Sequence, residues 1–585
     1  MPAVRRQPPL APLASARRLP ARRRSRGRRL APLALFALVA FVAGAVAGQR
    51  HEPPARAVAR EWAQAWSRGD YGAMHALLTV QARRRATVAR FVRTYRAAAD
   101  TLTLRRVAAS RPQVQGEGAF ALPVVMNTRI FGRLSGSLPL PVVERDGVAG
   151  VDWRAHLVYP GLHVGEKLAR ETTLPARGAI LARNGTPLAR GPNRLSDLGP
   201  QVAEVAGRVG PIPPERAGEL ARRGVPPEAL VGLNGLEREF DIRLSGRPGG
   251  ILRAGRRSIA RAEPVAGEDV RTSIDPKVQQ AAVEALAGRF GGIAVLKPAT
   301  GEVLALAGIA YSAPQPPGST FKIVTLAGAL QAKVVSERNS YPVQTSTTIE
   351  GVELENAHGE ACGGSLKQSF ADSCNSVFAP LGAKLGARRL VATARRFGFN
   401  EQPTLTGAAP STIPEADEIG DDLAVGSSAI GQGKVLATPL QMASIAATIG
   451  LRGRRVRPTL SRGGHGDATE AVPARVARVV ARYMRAVVLS GTGSAAAIPG
   501  ARVAGKTGTA ELRDTVKEQP EALEPGAEPT PVPEEDTTDT DAWFTAFAPY
   551  GKPRVAVAVL LVGQGAGGET AAPAARPVLL AALKR

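Results

Sequence analysis

The chain is poor in the residues that build metal centres and disulfide scaffolds. Its 585 residues include two cysteines, Cys362 and Cys374, and six histidines without HExxH spacing. That is too few for a zinc cluster or a disulfide framework, so no metal and no cofactor is expected. The cysteines lie 12 residues apart and are read as two buried free thiols in preference to a bridge. Aromatics make up only 4%. Lysine is scarce: 12 of the 76 basic residues are Lys and the rest Arg. With 50 acidic residues the formal net charge is +26. Such an excess raises nucleic acid as a partner. Its distribution argues against that: ten arginines crowd into residues 5–29, and the remainder is spread thinly with no basic stripe interleaved with aromatics. No nucleic-acid partner is expected.

What the chain does have is one long apolar run. Residues 30–48 are 19 positions without a charge, about 28 Å as a helix, enough to cross a bilayer core. The Arg-rich tail, residues 1–29, holds that end in the cytoplasm. An uncleaved, single-pass anchor in the plasma membrane is the preferred reading. Ala45-Val46-Ala47 offers a signal-peptidase site as the alternative. Both put the remainder outside the cytoplasm.

Residues 51–165 predict a small α+β cone. Val58, Trp62 and Trp66 share a helical face, Gly69-Asp70 interrupts it, and an Arg-rich helical pattern runs to about Ala99. Strand-like runs follow at Phe120–Met126 and Leu138–Val143. Residues 166–265 are rich in Gly, Pro and Arg and lack periodicity; Arg177–Gly185 and Gly232–Arg238 read alone as turns and strand starts. From residue 266 the pattern sharpens. Asp275 opens a helix through Leu286, and Gly292–Leu296 with Val303–Ala307 predict a hairpin around Pro298–Gly301. Trp543–Ala548 and Val555–Val562 predict two more strands, the second apolar on both faces and hence central. Strands at both ends of this region predict one sheet closed by distant parts of the chain. Between them, residues 512–540 hold nine acidic and two basic side chains, five prolines and no aromatic. That composition predicts a mobile acidic loop.

Three short segments carry the chemistry. Ser319 and Lys322 stand three apart at the start of the apolar helix Ile323–Ala332, so both project from one face of its first turn. A serine hydroxyl needs a base to become a nucleophile. Lysine serves if its pKa is lowered, and arginine cannot. A lysine at this position in so Arg-biased a chain therefore points to proton transfer. Ser373-Cys374-Asn375 begins 54 residues after Ser319, and Lys506-Thr507-Gly508-Thr509 begins 133 residues after Ser373. Each is weak alone. In this order, on a helix start and a strand, they form the set shared by serine β-lactamases and penicillin-binding proteins, with Cys where Asp is usual in the second.

The chain resembles class B penicillin-binding proteins over nearly its whole length. Ala429–Gly433, Thr438–Ala443, Gly491-Thr492-Gly493 and Ala504–Glu511 also match that family. Arg177-Gly178 and Gly235–Arg238 resemble its pedestal, or dimerisation, domain, and residues 51–165 are similar to the NTF2-like domain of the low-affinity, methicillin-resistance type. The fold implied is multidomain α+β: anchor, NTF2-like cone (51–165), pedestal (166–265) and transpeptidase domain (266–585), the last an antiparallel sheet flanked by helices. The resemblance implies a D,D-transpeptidase that cross-links D-Ala-D-Ala stem peptides and binds penicillin covalently. By it, Ser319 is the nucleophile, Lys322 its base, and Ser373 the proton relay to the leaving group. Asn375 holds the substrate amide, and Lys506 attracts the terminal carboxylate. Thr507, Gly508 and Thr509 line the substrate strand. The partners implied are peptidoglycan stem peptides, β-lactams, a membrane glycosyltransferase and other cell-wall proteins. The alternatives are a β-lactam-hydrolysing or D,D-carboxypeptidase enzyme, and a non-catalytic β-lactam sensor or scaffold.

Overall fold

A computed structural model describes residues 52–584 except 117, 200, 201 and 512–539. The candidate membrane run 30–48 and nearly all of the acidic stretch 512–540 lie outside the described residues. Among those described, no helix is long and apolar enough to cross a membrane. The chain divides into two compact units.

Residues 54–151 begin with four helices, α1 (Pro54–Arg68), α2 (Tyr71–Ala76), α3 (Val80–Arg85) and α4 (Val88–Leu102). Five strands follow: β1 (Leu104–Ala109), β2 (Gln113–Gly116), β3 (Ala119–Thr128), β4 (Arg133–Arg145) and β5 (Val148–Val151). Their sheet has the order β1-β3-β4-β5, with β2 beside β3. Trp62 and Trp66 of α1 are buried as the helical spacing predicts, each edge-on to a ring of α4, Phe91 and Tyr95. Gly69 ends α1 in the left-handed conformation, and Asp70 caps α2 by accepting from Ala73 N at 2.9 Å.

In the second unit, β6 (Leu168–Thr173), β7 (Gly249–Ala254) and β8 (Arg257–Ala262) form an antiparallel sheet of order β8-β7-β6. The two segments that read as isolated turns meet in one buried ion network. Arg177 Nε donates to Glu237 Oε2 at 2.8 Å, and its terminal nitrogen donates to Asp241 Oδ1 at 2.8 Å. Arg194 donates to Glu237 Oε1 at 2.5 Å and Arg216 to Asp241 Oδ2 at 2.8 Å. Glu237 and Asp241 are buried. Burying such carboxylates is costly unless every oxygen finds a partner, and here each does.

The remaining elements surround a second five-stranded sheet. They include α5 (Pro276–Leu286), β9 (Gly291–Lys297), β10 (Glu302–Gly308), α6 (Lys322–Gln331), β11 (Cys362–Ser365), α7 (Leu366–Ala371), α8 (Asn375–Leu385), α9 (Pro439–Gly450), α10 (Ala474–Ser490), β12 (Ala504–Glu511), β13 (Thr540–Ala548), β14 (Val555–Leu561) and α11 (Ala571–Leu583). Asp275 caps α5 through Lys277 N and Val278 N. The sheet order is β10-β9-β14-β13-β12, antiparallel throughout. The hairpin β9–β10 and the central, wholly buried β14 agree with the sequence pattern. Alternate residues of β14 feed two cores: Val555, Val557, Val559 and Leu561 pack with α5 and α11, while Ala556, Ala558 and Leu560 face the helical side. Burying each Val or Leu is worth roughly 1.5–3 kcal/mol. β12, at the end of this sheet order, carries the third motif.

Candidate active site

The three motifs converge. Ser319 lies in a single 3-10 turn, Gly318–Phe321, that runs straight into α6, and it is half-buried. Gly318 has φ +50°, and a Cβ there would sit 2.6 Å from Thr509 O, so the turn lies flush against β12. The Ala429–Gly433 segment closes the other side: Gly318 N donates to Gly431 O at 3.0 Å, and Thr325 Oγ1 to Ala429 O at 2.6 Å.

Lys322 is wholly buried, three residues from Ser319. Its Nζ lies 2.5 Å from Ser373 O, 2.7 Å from Asn375 Oδ1 and a longer 3.5 Å from Ser373 Oγ. Burial, and secondly the nearby Lys506 charge, push its pKa well below the usual lysine value. Its Nζ is 5.7 Å from the Phe378 ring centroid.

Ser373 occupies the left-handed region, φ +65°, between α7 and α8. That unusual backbone turns its carbonyl to Lys322 while its hydroxyl accepts from Lys506 Nζ at 2.8 Å. The Ser373 proton is thus left to donate elsewhere. Asn375, the first residue of α8, gives its amide nitrogen to Glu355 O at 2.9 Å, which fixes its oxygen on Lys322. Lys506 is also fully buried, donates to Thr507 O at 3.0 Å and lies 5.7 Å from the Phe370 ring centroid. Burial lowers its pKa to about 7, against an opposing pull from Asp372. Thr507 is buried, Gly508 abuts Pro317 and Thr320, and Thr509 is half-buried beside the Ser319 turn.

All eight sequence-predicted residues therefore fall in or around one site. The reading of Cys362 and Cys374 as free thiols is corrected: a disulfide joins them. The strand β11 returns beside the start of α8 and brings the Cα atoms to 5.8 Å, within the usual bridging range. A 12-residue spacing does not reveal that approach. Sequence reasoning also assigned nothing to Phe370 and Phe378. Each is three residues from the second motif, a helical spacing that was available as a signal. Thr492, in a segment already singled out, received no role, yet its hydroxyl contacts that of Thr507.

A half-buried serine, a buried lysine of lowered pKa three residues on, and a second buried lysine on the terminal strand of the sheet suit a serine enzyme of the acyl-transferring kind. The comparisons agree. Residues 291–580 match the penicillin binding protein transpeptidase domain, and residues 54–166 match the NTF2-like N-terminal transpeptidase domain. The chain is 33% identical over 414 residues to the peptidoglycan D,D-transpeptidase PbpA of Mycolicibacterium smegmatis, covering 60% of this chain and 79% of that protein. It is 26% identical over 455 residues to the peptidoglycan D,D-transpeptidase MrdA of Acinetobacter baumannii, covering 65% and 64%. Among solved structures it resembles the ceftriaxone acyl-enzyme complex of penicillin-binding protein A from M. tuberculosis. There the TM-score is 0.53 and the identity 28%, covering 70% of this chain and 98% of that one. The chain belongs to the penicillin-binding protein transpeptidases, in the form that carries an NTF2-like N-terminal domain.

Proposed function

We propose that this peptidoglycan D,D-transpeptidase works through an acyl-enzyme on Ser319, formed with D-Ala-D-Ala stem peptides and, covalently, with β-lactams. The observation that carries the reading is the fully buried Lys322, whose amine has two close acceptors and a lowered pKa. Ser319 Oγ attacks the carbonyl carbon of the penultimate D-Ala, and Lys322 takes its proton. Backbone N–H groups of Ser319 and Thr509 stabilise the oxyanion. Ser373 passes a proton to the departing D-Ala amine. An acceptor amine from a second stem then displaces Ser319 and completes the cross-link. Asn375 holds the substrate amide. Lys506, Thr507 and Thr509 hold the terminal carboxylate, with Gly508 keeping the strand close to the nucleophile.

We further infer that residues 30–48 anchor the protein in the plasma membrane, with the 1–29 tail in the cytoplasm and the catalytic domain outside. Residues 51–165, 166–265 and 266–585 then act as NTF2-like, pedestal and transpeptidase domains. The paired Arg177 and Glu237 support the pedestal assignment. A membrane glycosyltransferase and other cell-wall proteins are the partners this arrangement serves.

Incubation with a labelled penicillin, followed by intact mass, tests the reading. One stable adduct is expected on the wild type and none on a folded Ser319→Ala variant. Turnover of the label would mark a hydrolase, silence a sensor or scaffold, and an adduct on the alanine variant would displace the nucleophile.

A further inference from the structure

Thr492 sits in the Gly491-Thr492-Gly493 turn that follows α10, and it ties the second motif to the third. Its backbone N–H donates to Ala371 O at 3.2 Å, two residues before Ser373. Its hydroxyl lies 3.3 Å from the same carbonyl and in hydrogen-bond contact with Thr507 Oγ1. The turn lies close against α7: a Cβ on Gly491 would stand 2.4 Å from Ala371 O.

Each threonine hydroxyl has one proton and two lone pairs. One arrangement satisfies both contacts of Thr492: Thr507 donates to Thr492, and Thr492 donates to Ala371 O. A carboxylate accepts and never donates. To bind one, Thr507 must withdraw its proton from Thr492, and Thr507 is only 4% exposed, so water replaces that partner poorly. Thr492 can fill the gap by rotating its own hydroxyl, because Ala371 O keeps the bond from Thr492 N. A hydroxyl that receives a hydrogen bond also donates more strongly.

We propose that Thr492 is a positioning residue for recognition of the ligand's terminal carboxylate. Its hydroxyl turns from Ala371 O to Thr507 Oγ1 when Thr507 turns its proton to the carboxylate. The inference rests on the reading of Thr507 as a carboxylate contact. No heavy atom need move, and no bond is made or broken beyond these hydrogen bonds. Thr492 reaches the ligand only through Thr507.

The test compares acylation of the full-length chain by a penicillin and by the same penicillin as its primary carboxamide. Thr492→Val keeps the shape and removes the hydroxyl. It is expected to lower the second-order acylation constant for the acid roughly two- to tenfold, the scale of one neutral hydrogen bond. The loss should lie in the apparent dissociation constant with the first-order step kept, and it should be clearly smaller for the carboxamide, a weaker acceptor. Thr492→Ser should restore the acid's rate. If Val is not accommodated and the melting temperature falls, Thr492→Ala removes the same hydroxyl and carries the same comparison. Equal slowing of acid and amide, or no slowing, overturns the proposal. Thr507→Val separates the two readings. Acid-selective loss there without it at Thr492 sinks only the Thr492 role. Loss without acid selectivity at Thr507 removes both.

Discussion

At the scale of single residues, two buried lysines share one serine, and the tasks proposed for them require opposite protonation states. In that proposal Lys322 must be neutral to accept the Ser319 proton, while Lys506 must be charged to attract a carboxylate. Burial lowers both pKa values, that of Lys322 well below the usual range and that of Lys506 to about 7. The acylation rate should therefore rise with pH as Lys322 loses its proton, and loss of the Lys506 charge near pH 7 should oppose that rise. Lys506→Arg, which cannot deprotonate, should remove the opposing effect while lowering the rate; an unchanged profile would assign the effect to another group. Lys322→Arg should fail almost as badly as Lys322→Ala, a loss of about 10²–10⁴ in acylation rate typical of removing a general base. Stopped-flow acylation across pH 5–10 measures both expectations. The same shifts act on stability. Between about pH 7 and the ordinary lysine range near 10.4, the unfolded chain binds protons that native Lys506 does not, so stability rises with pH across that window.

Among the elements, the ion network joining Arg177, Arg194, Arg216, Glu237 and Asp241 locks the helix that begins at Gly235 to the turn at Arg177. Glu237→Ala strips two arginines of a buried partner and should destabilise the fold by ~3–5 kcal/mol, read as a lower midpoint in denaturant melts. A change under 1 kcal/mol would mean water replaces the carboxylate. The sequence singled out both segments, but not the pairing between them. Sixty residues separate Arg177 from Glu237, and no periodicity links them. The bridge between Cys362 and Cys374 was missed for the same reason: proximity arises from tertiary return, not local pattern. What was legible was local. Asp275 announced its helix because a cap acts within three residues, and Val555–Val562 announced a central strand because both faces are apolar. The catalytic set was legible through residue chemistry and order, since Ser-x-x-Lys on a helix start fixes its own geometry. Of the groups around that set, Phe370 and Phe378 had a helical spacing that could have pointed to them, while the Thr492 contact became visible only in the fold.

On the scale of the whole molecule, the chain's charge and its catalytic half are held apart in sequence. The arginine tail and the run 30–48 precede every described element. If that run is the anchor proposed, the full chain should sediment with membrane vesicles and resist extraction by high salt. A chain lacking residues 1–50 should stay in the supernatant and still take one penicillin. Salt release of the full chain would reduce the attachment to arginines on anionic lipid.

The central sheet has one more consequence, in the order of events as the protein is made. β9 pairs with β14 at Gly291↔Leu561, so the first strand of the sheet waits for nearly the last residues of the chain. β12, with Lys506, is joined to β9 only through β13 and β14. A nascent chain stalled anywhere before residue 561 holds Ser319 and Lys322 on their turn but has no completed strand beside them to receive a carboxylate. Such far-reaching pairing is slow to form. A product cut short of residue 561 therefore lacks the completed sheet on which the proposed site depends.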